Sequence, residues 1–133
     1  MEEVETTLSY VPDMEYITKE LVDLLNIPSV TGNTRKAVDW LKDEFESIGY
    51  KASKTNKGGL LIQIPGENPG DERLLSAHVD TLGAMVFEVK SSGRLKLSLI
   101  GGDWHSIEGE RVFVETSSGQ IYTGTVLTTK AAS

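Results

Sequence analysis

Cysteine is absent from the 133 residues. No disulfide framework and no thiolate metal site can therefore form, and a metal could be held only by His, Asp and Glu. No apolar run approaches the roughly 18 residues needed to span a membrane, and the start Met1-Glu2-Glu3-Val4-Glu5 is acidic where a secretory leader is basic. The expectation is a cytoplasmic chain with no membrane partner. Positive charge is also in deficit, since 13 Lys and Arg face 20 Asp and Glu for a formal net charge of −7. A surface of that sign repels phosphate backbones, so nucleic acid is not an expected partner.

What is present suits a folded chain. Hydrophobic residues make up 38% and charged residues 25%, enough apolar material for a modest core and too little charge for a disordered tract. Met14, Ile17, Leu21, Leu24 and Leu25 recur at helical spacing behind Asp13, a favourable N-cap, and Ile27-Pro28 ends the pattern because a residue before proline resists the α region. A first helix is predicted over 13–26. Ala37, Val38, Leu41, Phe45 and Ile48 predict a second over 33–48, closed by Gly49 at the C′ position.

Beyond Gly49 the period shortens to that of strands. Tyr50–Thr55 reads as an exposed edge strand, Leu60–Ile64 as its neighbour across the Asn56-Lys57-Gly58-Gly59 turn, and Leu74–Val79 as a further strand. From Gly83 onward, four short segments, Ala84–Val89, Arg94–Ile100, Arg111–Glu115 and Gln120–Thr128, predict a small β barrel or sandwich. The chain is thus divided into an α/β part, 1–82, and a β part, 83–133.

The one motif that carries chemistry is His78-Val79-Asp80. Alternate residues of a strand share a side, so the spacing sets an imidazole and a carboxylate together at the C-terminal end of Leu74–Val79, where open α/β sheets place their sites. A neutral imidazole binds a divalent metal through one nitrogen while a carboxylate accepts a hydrogen bond from the other and fixes the tautomer. Spacing alone also fits a structural histidine, because catalytic zinc takes three protein ligands and one is visible.

The run Leu74-Leu75-Ser76-Ala77-His78-Val79-Asp80-Thr81-Leu82-Gly83-Ala84-Met85-Val86 resembles the glutamyl aminopeptidase and tetrahedral aminopeptidase family of dinuclear metallopeptidases. Leu25-Asn26-Ile27-Pro28-Ser29-Val30-Thr31-Gly32 and Leu99-Ile100-Gly101-Gly102 extend the similarity in the same order. The resemblance implies that 1–82 belongs to a zinc-peptidase-like α/β catalytic domain and 83–133 to an inserted β assembly domain. It also implies two bridged divalent ions, zinc or cobalt, acting on peptide N-termini, with a homo-oligomer formed through the β part. His78 matches the family's ligand to one metal, and Asp80 matches the catalytic-site acid that orients that histidine. The other ligands and the general base are expected beyond Ser133, which leaves the chain alone inactive with at most weak metal binding. Thr81 stands where the family commonly has glutamate, a departure resembling related deacylases and carboxypeptidases, and a self-association module is the non-enzymatic alternative.

Other residues are given plainer roles. His105 reads as a loop histidine facing solvent, Trp104 as a packing or interface residue, and Trp40 as the edge of a helical core stripe. Asp39, Asp43, Glu44 and Glu46 read as a solvated helix face, and Gly58-Gly59 as a turn, since the Lys-Ser/Thr end of a phosphate loop is missing.

Overall fold

The computed structural model describes residues 10–68 and 70–128; the acidic Met1–Glu5 run, Pro69 and the side chain of Trp104 lie outside that description. The chain is mixed α/β, with two helices and three two-stranded antiparallel sheets. No described helix is long and apolar enough to cross a membrane. The residues group into two compact units, one formed by Met1–Ser29 with Asn33–Val79 and the other by Val30–Gly32 with Asp80–Ser133.

In the first unit both helices form where the apolar spacing predicts, α1 over Met14–Leu25 and α2 over Arg35–Ser47. Asp13 caps α1: its Oδ1 accepts from the Tyr16 backbone N–H at 3.0 Å, satisfying one of the amides that a helix start leaves orphaned. The end of α2 closes as a Schellman turn, with Gly49 N–H donating to Glu46 O at 3.1 Å and Tyr50 N–H to Phe45 O at 3.0 Å. Gly49 adopts φ +94° there, a conformation that costs an L side chain energy and glycine little. Thr34, which precedes α2, makes no side-chain capping bond.

Ile17, Leu21 and Leu24 of α1 line one crevice with Trp40, Leu41 and Phe45 of α2 and with Ile48 at its C-cap. Ala37 and Val38 of α2 are buried, and this helix packs on the hairpin of β1, Ala52–Lys54, and β2, Leu60–Ile62. Asp39 pairs with Lys54 of β1 and Lys42 with Glu46 one helical turn on at 2.6 Å. The expected solvated face therefore also ties helix to sheet. On α1, Lys19 donates to Glu20 and Asp23, and those hydrogen bonds raise its pKa.

The strand predicted over Leu74–Val79 does not form. Residues 71–80 belong to no helix or strand, and Leu74 and Leu75 are 86% and 96% exposed. A strand exists only through the N–H and C=O groups of a neighbour, and among the described residues no strand lies alongside this one.

The second unit contains β3, Gly83–Val89, paired with β4, Leu95–Ile100, and β5, Arg111–Glu115, paired with β6, Ile121–Thr125. Both hairpins use the same three-residue loop. Lys90 and Arg94 close one, Thr116 and Gln120 the other, and Gly93 and Gly119 take the left-handed position that a type I turn followed by a bulge requires. The Thr116 hydroxyl additionally accepts from Gln120 N–H at 3.0 Å. A register shift between Val86 and Glu88 leaves Phe87 as the extra residue of a β-bulge, and the Lys96 ammonium lies 5.0 Å from its ring centroid, within cation–π range.

On β5, Val112 and Val114 alternate inward between exposed residues, and Val126 just beyond β6 is buried. The described strands of this unit form two hairpins. An open groove of about 1200 Å3 runs between them, lined among others by Val86, Leu95, Leu97, Val112, Val114 and His105.

Candidate functional site

The geometry around Asp80 is built inside the second unit, from residues far apart in sequence. Val30 and Thr81 form a parallel β-bridge, which lays the Val30–Gly32 backbone along the segment that follows the motif. The Thr31 hydroxyl then donates to Asp80 Oδ2 at 2.6 Å, the length of a charge-assisted O–H···O⁻ bond. Asp80 is half-buried and Thr31 exposed.

Two glycines make this approach possible. A Cβ on Gly83 would stand 2.4 and 2.7 Å from the Val30 methyl carbons, closer than real Cβ atoms come, so the bridge needs glycine at 83. Leu82 in turn covers Gly101, where an added Cβ would lie 2.8 Å from Leu82 Cδ2.

His78 is exposed and sits in the irregular stretch that ends the first unit, outside any strand. The strand-based argument for its direction therefore has no ladder beneath it. Asp80 is held at its side chain by Thr31 and stands next to the Val30–Thr81 bridge. His105 lies in the short 3-10 turn Trp104–Ser106 and is exposed, as predicted, with its backbone N–H donating to Asp103 Oδ1 at 3.3 Å. Sequence reasoning missed Thr31. Its signal was the Ser29-Val30-Thr31-Gly32 stretch, which reads as a turn until the contact with Asp80, 49 residues on, is seen.

Among the described residues no group of three or more His, Asp or Glu side chains is placed to hold a metal ion. The donor types of His78 and Asp80 suit one ligand and its orienting partner, yet a catalytic zinc takes three protein ligands. Among the described residues, these two do not complete a metal centre.

Comparison with known proteins places the motif in a family. The family model for M42 glutamyl aminopeptidase matches residues 58–132, a span that includes His78, Asp80 and Thr81. A Bacillus subtilis (strain 168) protein bearing the name "Putative aminopeptidase YhfE" is 47% identical over 112 residues, covering 83% of this chain and 32% of that protein. A Lactococcus lactis subsp. cremoris (strain MG1363) protein named glutamyl aminopeptidase is 26% identical over 100 residues, covering 73% of this chain and 28% of that protein. The chain thus spans about a third of the length of the relatives it matches. With more than half of its residues matched by the family model, the chain belongs to the M42 glutamyl aminopeptidase family.

Proposed function

We propose that this chain is the N-terminal part of a metal-dependent aminopeptidase that removes N-terminal residues from peptides. The observation that carries the reading is the family match running through His78-Val79-Asp80, where an imidazole and a carboxylate stand at the spacing of a metal ligand and its orienting partner. In this reading His78 is a ligand to one of two divalent ions, zinc or cobalt, and Asp80 holds the His78 ring. The remaining donors and the general base come from parts of the parent protein outside these 133 residues. The 1–82 part belongs to the catalytic domain and 83–133 to a β domain that mediates homo-oligomer formation. In this reading the protein is cytoplasmic.

One ligand and one second-layer carboxylate bind metal weakly and supply no base, so the isolated chain is inactive. Purified and offered aminoacyl substrates across a range of zinc and cobalt concentrations, it is expected to show no hydrolysis. Chelator-sensitive turnover by the pure 133-residue chain would overturn this division of the site.

A further inference from the structure

Three stretches of sequence carry the resemblance, Leu25–Gly32, Leu74–Val86 and Leu99–Gly102, and nothing in their order along the chain says why they go together. The second unit supplies a reason, because parts of all three converge on the backbone Asp80–Gly83: Val30 bridges Thr81, Thr31 holds Asp80, Val30 meets Gly83, and Leu82 covers Gly101. We propose that this convergence is a clasp whose purpose is to fix the Asp80 carboxylate, with Thr31 as the positioning residue. For its functional consequence the proposal rests on the reading of Asp80 as the partner of His78.

The physical argument begins with the Asp80 side chain. The last torsion of an aspartate is broad and roughly two-fold, so an unheld carboxylate swings its lone pairs through a wide arc. A hydroxyl at 2.6 Å from Oδ2 restricts that freedom, provided that its own backbone is fixed. The Val30–Thr81 bridge provides this, since it registers the residue before the donor against the residue after the acceptor. Gly83 keeps the two segments close, since a side chain there would collide with Val30. An immobilised carboxylate can select one tautomer of a neighbouring imidazole, whereas a swinging one cannot.

The test uses the intact 133-residue chain without metal. Thr31→Val keeps the shape of the side chain and removes the hydroxyl; Thr31→Ser keeps the hydroxyl. Nitrogen-15 NMR of His78 in its neutral form should show one dominant tautomer in the natural chain and in Thr31→Ser, and a mixture in Thr31→Val and Asp80→Ala. In denaturant titrations, Thr31→Val and Asp80→Ala should be non-additive, with a coupling of about tenfold in the unfolding equilibrium constant, as for a hydrogen bond to a charged group. Additive variants, or a Thr31→Val tautomer ratio equal to the natural one while Asp80→Ala changes it, would overturn the clasp. If Asp80→Ala leaves the tautomer unchanged while the coupling persists, the clasp stands and the pairing of Asp80 with His78 is what fails.

Discussion

At the scale of single residues, the candidate site is half legible in sequence. His78 and Asp80 announce themselves through residue type and spacing, because the donors that suit a divalent metal are few and cysteine is absent. Thr31 does not, because its meaning lies in a tertiary contact that no local periodicity encodes. The same holds for Gly83, which sequence reading takes as the start of a β segment and which the structure shows to be a point of close approach to Val30. Gly83→Ala is therefore expected to disturb the second unit far more than a methyl group on an open glycine. Gly66, which has free space around its Cβ position and no positive φ, is the control: Gly66→Ala should leave the unfolding free energy nearly unchanged, whereas Gly83→Ala lowers it by about 1–3 kcal/mol, the usual cost of overpacking. Equal unfolding free energies for the two variants would contradict the close approach. In the parent protein, Asp80→Asn should lower metal affinity or turnover by roughly 10–100-fold, as changes to a ligand's orienting partner do. Metal analysis together with initial rates would measure it, and an unaffected Asp80→Asn would remove Asp80 from the site.

At the scale of elements, what the sequence reveals depends on whether the element is closed by its own residues. Both helices and the hairpins were readable, because helical hydrogen bonds are internal and each hairpin brings its partner across a glycine-bearing turn. The strand over Leu74–Val79 was not, because its apolar run specifies burial while its ladder depends on neighbours that the described residues do not supply. The barrel or sandwich expected from Gly83 onward is seen as its two hairpins, for a related reason: hairpin pairing is local, whereas packing between hairpins is not. Helix starts give a sharper test. Asp13 makes its capping bond and Thr34 does not, although both are residue types favoured at an N-cap. Asp13→Ala should therefore cost about 1 kcal/mol of stability, and Thr34→Ala almost nothing. Calorimetric midpoints decide this, and equal losses would contradict the distinction.

At the scale of the whole chain, the apolar surface outweighs the core. The buried apolar residues among those described are Ala37, Val38 and Val126, while Leu74, Leu75, Phe87, Val89, Phe113 and Leu127 are each more than two-thirds exposed. Exposed apolar surface together with open strand edges favours association. Light scattering at tens of micromolar is expected to find the chain as a dimer or larger species. Phe87→Glu with Phe113→Glu, both in the β part, should reduce the associated fraction. A strictly monomeric natural chain, or association indifferent to these two changes, would show that the β part is not the assembly surface. The central claim, that the chain carries one ligand of a peptidase metal centre, is tested most directly by metal analysis of the parent protein beside its His78→Ala variant. The account predicts that the variant loses about one bound divalent ion per chain and its aminopeptidase turnover with it. An unchanged metal content with unchanged turnover would contradict it and leave His78 a structural residue.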